Sequence, residues 1–169
     1  KGILNITEED GLSNNEVHDI FQAKDGAIWV ATFGGVSINE ESRWRHMTTA
    51  DGLASNNIQV LAQDSAERIW LGTYGSGITI LENGVAKSLH RGHGLINNYV
   101  TSLALRNGQM LIGTLGGLTS WLQNEFRVVE GVEELSNNQI NGVAIGGQDA
   151  IWLATFNGTN RLLGKSVLS

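Results

Sequence analysis

The five residues Ile28-Trp29-Val30-Ala31-Thr32 return as Ile69-Trp70-Leu71-Gly72-Thr73 and as Ile151-Trp152-Leu153-Ala154-Thr155, with a variant copy at Met110-Leu111-Ile112-Gly113-Thr114. Thr32, Thr73, Thr114 and Thr155 each stand 41 residues from the next, and so do Trp29, Trp70, Leu111 and Trp152. A period of this length restricts the chain to an array of like units, each burying its neighbour. Every copy is a short run of Ile, Trp, Val, Leu and Thr between Gly and polar residues, which is strand composition and too short for a helix. Because the run is apolar on both faces, the strand is expected to be covered on both sides.

The rest of the period supplies the other strands. Gly2 to Thr7 reads as a strand that the polar stretch Glu8-Glu9-Asp10-Gly11 ends. A loop with paired Asn follows, at Asn14-Asn15, Asn56-Asn57, Asn97-Asn98 and Asn137-Asn138, suited to turns in which the side chain bonds nearby backbone. An inner strand is expected at Val17 to Ala23, Ile58 to Gln63, Val100 to Leu105 and Ile140 to Ile145. Lys24-Asp25-Gly26 and Arg106-Asn107-Gly108 then predict type I′ hairpins into the Trp strand.

After each Thr the chain turns at Phe33-Gly34-Gly35, Tyr74-Gly75-Ser76-Gly77, Leu115-Gly116-Gly117 and Phe156-Asn157-Gly158. A third strand follows at Val36 to Asn39, Ile78 to Leu81, Leu118 to Leu122 and Thr159 to Leu163, and a fourth holds Trp44, Val85, Phe126 and Val167. The third unit runs one residue late from the loop Arg91-Gly92-His93-Gly94 and regains phase at Leu111. Twenty-two glycines with no proline fit many tight turns between strands that keep every ladder donor, and no segment has the sustained period of a helix.

Four antiparallel strands in about 40 residues is a β-propeller blade, so the fold class is all-β, four blades within residues 1–169. The units run over about 8–47, 48–89, 90–130 and 131–169, with 1–7 as the outer strand of a preceding unit. Lys165 to Ser169 fall in the phase of Lys1 to Asn5, from which we expect part of a larger propeller, or one completed by dimerisation. Trp29, Trp70 and Trp152 are expected to wedge between adjacent blades with each indole N–H bonded.

The combined pattern Gly-Leu-(Ser)-Asn-Asn, then Val/Ile-x-x-Ile/Leu, then Ile-Trp-x-Gly/Ala-Thr and Gly-Gly resembles the two-component regulator propeller repeat. The likeness runs through Gly11 to Gly35 and Gly52 to Gly77, and more weakly through Gly94 to Gly117 and Glu134 to Gly158. Leu111 for Trp, Glu134 for the loop Gly, and Ala31 and Ala154 for Gly depart from it. The resemblance implies the periplasmic or extracellular sensor region of a bacterial membrane receptor, often a hybrid histidine kinase, responding to an external ligand such as an oligosaccharide. Function itself belongs to sites grafted on the fold.

A net charge of −6 without a Lys/Arg cluster argues against nucleic acid as partner. No apolar run approaches the roughly 20 residues that cross a bilayer, so no membrane contact is expected of this region itself. No Ser/His/Asp or Cys/His signature can be placed, so no catalytic residue is assigned, and no cofactor is implied. His18, His46, His90 and His93 lack zinc-site companions apart from a loose His90-x-x-His93, and Asp10-Gly11 and Asp51-Gly52 lack the ladder of a calcium loop, so no metal is assigned.

Sites should lie where the repeats differ. The residue after each Thr varies as Phe33, Tyr74, Leu115 and Phe156, and the inner strand opens with Glu16, Asn57, Tyr99 or Gln139. In a four-stranded meander both positions emerge on one rim, so the candidate ligand residues are Asn15, Phe33, Asn57, Tyr74, Asn98, Tyr99, Asn138 and Phe156. Amides beside aromatic rings suit a neutral sugar, whose apolar faces stack while its hydroxyls bond. The alternatives are a structural or protein-docking propeller without small ligand, and a propeller hydrolase or lyase. Homodimer or remaining propeller, and carbohydrate, are the partners expected.

Overall fold

A computed structural model describes residues 2–162. It has four separate antiparallel sheets, each a meander in chain order. The first comprises β1 (Val17–Gln22), β2 (Ile28–Thr32), β3 (Gly35–Glu40) and β4 (Arg43–Met47). The second comprises β5 (Ile58–Gln63), β6 (Ile69–Thr73), β7 (Ile78–Glu82) and β8 (Val85–Leu89). The third comprises β9 (Val100–Arg106), β10 (Gln109–Thr114), β11 (Gly117–Leu122) and β12 (Glu125–Val128). The fourth shows β13 (Ile140–Ile145), β14 (Ile151–Thr155) and β15 (Gly158–Leu162); Leu163, the expected strand at Val167 and the phase of 165–169 lie outside the described residues.

The expected two-sided cover of the Trp strand is met within the array. Every residue of β6 and of β10 is buried. Three apolar slabs lie between consecutive blades. Trp29, Val36 and Ile38 of the first blade pack with Ile58, Leu61, Ile69 and Leu71 of the second. Trp70, Ile78 and Ile80 pack with Val100, Met110, Ile112 and Trp121 of the third. Leu111 and Leu118 pack with Ile140, Ile151 and Leu153 of the fourth. Leu111, which replaces the Trp of the repeat, faces the fourth blade, while Trp121 on the adjacent strand faces the second, edge-on to Trp70 at 5.9 Å. Nothing in the repeat pattern singled out Trp121.

Several expectations are corrected by pairing that only the folded chain displays. Residues 2–7 form no strand, and Ile3 and Leu4 are exposed, because no third strand among the described residues offers the ladder an outer strand requires. Glu8–Asp10 is a capped 3₁₀ turn with Thr7 as N-cap, a feature repeated at Thr49–Asp51 and Arg91–His93. The hairpin at Lys24-Asp25-Gly26 is not type I′: Gly26 N–H donates to Ala23 O and Gly26 alone takes positive φ, a three-residue loop ending in a left-handed residue. Asn107 and Gly108 both have positive φ, as type I′ requires.

The late phase of the third unit begins earlier than the sequence suggested. Thr32 is followed by β3 from Gly35, whereas Thr73 is followed by β7 only from Ile78, so the extra residue lies in the loop Tyr74-Gly75-Ser76-Gly77. In consequence Ala86, not Val85, occupies the place of Trp44: Ala86 pairs with Leu81 as Trp44 pairs with Asn39. Trp29 Nε1 is buried without a hydrogen-bond partner, and Trp152 is 41% exposed, so neither meets its full expectation.

Candidate ligand rim

The Thr of each repeat builds the rim. Oγ1 of Thr32, Thr73, Thr114 and Thr155 donates across its own loop to the carbonyl of Gly35, Gly77, Gly117 and Gly158, at 2.8–2.9 Å. The same oxygen accepts from Gly34, Ser76, Gly116 or Asn157 N–H. A hydroxyl that donates and accepts at once is what a tight loop with orphan backbone groups needs, which accounts for its fixed period. Gly35, at φ +128°, admits no side chain: a Cβ there would lie 2.5 Å from Met47 O.

The Asn pairs divide into two structural duties. Asn14, Ser55, Asn97 and Asn137 each accept from the N–H two residues on, closing the turn into the inner strand. Asn15, Asn56 and Asn98 instead hold the 3₁₀ turn before them, accepting from Glu8, Thr49 and Arg91 N–H at 2.7–2.8 Å. Asn57 is therefore not the partner of Asn15. It is equivalent to Glu16, Tyr99 and Gln139, and its Oδ1 accepts from Gln59 Nε2 at 2.6 Å.

The two variable positions meet in every blade. Phe33 N–H donates to Glu16 O, Tyr74 to Asn57, Leu115 to Tyr99 and Phe156 to Gln139, at 3.1–3.2 Å. The longer loop of the second blade adds a contact across the blade boundary: Gly75 and Gly77 N–H donate to Asn98 O. Tyr74 and Tyr99 consequently stand edge to face, with ring centroids 4.9 Å apart, and both remain about half exposed. Phe33 and Phe156 are exposed on the same rim. Of the eight residues expected, the fold thus brings Tyr74, Tyr99, Asn57 and Asn98 together and leaves Asn15, Phe33, Asn138 and Phe156 on the flanking blades.

Each inner strand also carries a β-bulge at the same place, at His18, Gln59, Thr101 and Asn141. At two of them the extra residue turns its side chain toward the next blade: His18 Nδ1 lies 2.7 Å from Ile58 O, and Thr101 Oγ1 donates to Ile140 O, whereas Gln59 Nε2 lies 3.0 Å from His18 Nδ1 of the preceding blade. Asp19 and Ser102, one residue on, accept from Leu61 and Val143 N–H. Bulges re-aim side chains, and here they stitch inner strand to inner strand. Their signal in the sequence, polar residues at one period, was present but unread.

Among the described residues no group of three or more His, Asp or Glu could hold a metal. The His90 and His93 rings touch, at 4.2 Å, but their Nδ1 atoms accept from Gly92 and His90 N–H in the place of the Thr and Asp that cap the earlier turns. No helix among the described residues is long and apolar enough to cross a membrane.

The family model described as two component regulator propeller matches residues 11–34 and 52–75, the two stretches whose likeness is strongest. No curated protein matches the chain. A solved extracellular domain of a hybrid two component system from B. thetaiotaomicron superposes with a TM-score of 0.78 at 26% identity, over 86% of this chain and 21% of that one. A second such domain from the same organism gives 0.77 at 24%, over 92% and 22%. Virginiamycin B lyase from Staphylococcus aureus shares the fold alone, at 0.68 and 14% identity over 96% and 59%. The chain spans about a fifth of the length of the extracellular domains it matches. It is a run of β-propeller blades, with residues 11–34 and 52–75 matching the two component regulator propeller repeat, and it is similar to the extracellular domains of hybrid two component systems.

Proposed function

We propose that this region is the non-catalytic, ligand-sensing input of a bacterial signal-transduction receptor, on its periplasmic or extracellular side, and that its rim binds a neutral oligosaccharide. The observation that carries the reading is the half-exposed Tyr74–Tyr99 pair spanning the boundary of the second and third blades. Two rings at nearly right angles, 82° apart, offer a sugar one stacking face and one wall, and Asn57 adds an amide beside them. Asn15 and Asn98 have a different part in it. Their amide oxygens are spent on the 3₁₀ turns, so they set the height of the rim and leave contact to the residues beside them. The domain's negative charge disfavours a highly sulfated sugar.

Calorimetric titration with a panel of neutral and sulfated oligosaccharides tests this. A neutral member should bind, and the Tyr74→Ala, Tyr99→Ala double variant should weaken it at least tenfold while leaving the thermal midpoint nearly unchanged. Binding that the double variant leaves intact, or no binding across the panel, overturns the assignment.

A further inference from the structure

The turn Arg91–His93 is held by imidazoles where the two turns before it in the repeat are held by oxygens. Thr7 Oγ1 and Thr48 Oγ1 accept from the N–H two residues on, and the Asp10 and Asp51 carboxylates accept from the N–H of those threonines. In the third unit His90 Nδ1 accepts from Gly92 N–H at 3.1 Å, and His93 Nδ1 accepts from His90 N–H at 3.2 Å. A backbone N–H only donates, so both Nδ1 atoms must keep a lone pair. An imidazolium has none, because both of its nitrogens are donors, whereas a hydroxyl or a carboxylate still accepts. The two side chains are exposed, with ring centroids 4.2 Å apart. The same turn braces the tyrosine rim. Asn98 Oδ1 accepts from Arg91 N–H at 2.8 Å, while Asn98 O accepts from Gly75 and Gly77 N–H at 3.2 and 3.0 Å. Gly77 lies so close to Leu89 O and His90 Cα that a Cβ would overlap them, and Gly75 packs on the Tyr99 ring. Asn98 thereby joins a His-capped turn to the loop that carries Tyr74.

We propose that Arg91–His93 is a pH-sensitive brace of the Tyr74–Tyr99 pair: a proton on Nδ1 of His90 or His93 removes a cap, frees the turn, and loosens the Asn98 anchor of the loop Tyr74-Gly75-Ser76-Gly77. Histidine is the side chain whose charge changes between about pH 8 and pH 5. Two imidazoliums in ring contact would also repel each other. The charged groups of the surrounding elements are Arg91 on the turn itself, Lys87 on β8, and Glu125 and Arg127 on β12. Lys87 Nζ stands 5.8 Å from the Trp121 ring, and Glu125 and Arg127 pair at 3.9 Å. The rim adds the Tyr74 and Tyr99 hydroxyls. Neutral solution therefore keeps the turn capped and the rings edge to face, and acid loosens both. The bearing of this brace on ligand binding rests on the reading of the tyrosine pair as the sugar contact, whereas the brace itself stands without a ligand.

Tyr74 and Tyr99 are the two tyrosines of the sequence, so NMR of tyrosine-labelled protein reads the pair directly and without ligand. Cross-relaxation between the two rings should fall at least twofold from about pH 8 to about pH 5.5, in step with the imidazole proton shifts of His90 and His93. In the His90→Thr, His93→Asp variant, which carries the caps of the first two units, it should stay constant over that range. Each single exchange should keep part of the response, and serves where the double exchange disturbs the fold as judged by circular dichroism. A ring contact that survives acid in the native chain overturns the brace, and so does one lost equally in the variant. Rings that loosen as expected while no sugar of the calorimetric panel binds would uphold the brace and sink the sugar reading, so the two fail separately.

Discussion

Asp64 Oδ2 accepts a hydrogen bond from Trp70 Nε1 at 2.9 Å, a contact that Trp29 Nε1 in the first blade lacks. The same carboxylate oxygen takes Arg68 Nε at 2.7 Å, while Oδ1 accepts from Ala66 and Arg68 N–H. A fully buried indole donor is thereby satisfied in a hairpin that the carboxylate also closes. Burial pushes the Asp64 carboxyl up, but the bonds from Trp70 and Arg68 together with the guanidinium charge outweigh it and hold the group below its ordinary value.

A carboxyl depressed in the folded state adds stability that is present above its unfolded value of about 4 and is lost as pH falls through the folded value. Thermal midpoints taken from pH 7 to pH 2 should therefore fall more steeply below about pH 4 in the native chain than in Asp64→Asn. At pH 7, Asp64→Ala should cost roughly 2–4 kcal/mol, since it strands a buried donor and leaves Arg68 without its partner. Equal acid sensitivity in the two chains would show that Asp64 contributes nothing through its charge.

In the first blade Ala23 and Ala27 stand where Asp64 and Arg68 stand in the second, and Trp29 Nε1 is accordingly buried without a partner. The backbone of the two hairpins matches, Ala23 N–H donating to Ala27 O as Asp64 donates to Arg68 O. The double variant Ala23→Asp, Ala27→Arg should raise stability by about 1 kcal/mol in urea unfolding. Ala23→Asp alone should gain less or lose, because its charge would be buried unpaired.

Replacing the repeated strand residue by Ala should grade with cover. Trp29→Ala and Trp70→Ala should each cost roughly 3–5 kcal/mol and Leu111→Ala roughly 2–5. Trp152→Ala, at a side chain 41% exposed within residues 1–169, should cost only about 1–2 kcal/mol in that stretch. Denaturant midpoints at low protein concentration measure the series, and a Trp152 loss as large as that of Trp70 would refute the blade order.

The 3₁₀ turns opening the first and second units are capped by Thr7 with Asp10 and by Thr48 with Asp51, and the third by His90 with His93. Oxygen acceptors cap such turns well. The exchange His90→Thr, His93→Asp should thus be tolerated and should stabilise by about 0.5–1 kcal/mol, read as a rise in thermal midpoint. Destabilisation by either single change beyond that figure would mean that the touching imidazoles are held by more than their capping bonds.

Much of this architecture was legible in the chain because its information is local and periodic. The place of every inner, Trp and third strand within the described residues follows from apolar runs and Gly turns, and two-sided burial of β6 and β10 is written in their unbroken apolarity. The conserved spacing of Thr32, Thr73, Thr114 and Thr155 announced a structural duty without saying which bond it made. What the tertiary structure alone decided depends on residues far apart in the chain. Which blade covers a tryptophan separates Trp70 from Trp152, though both sit in nearly the same pentapeptide. The register of one extra loop residue makes Asn57 the counterpart of Tyr99 and sets Tyr74 against it. Local sequence states what a segment prefers to bury, whereas the partner that buries it, and the register at which the two meet, exist only once the blades have stacked.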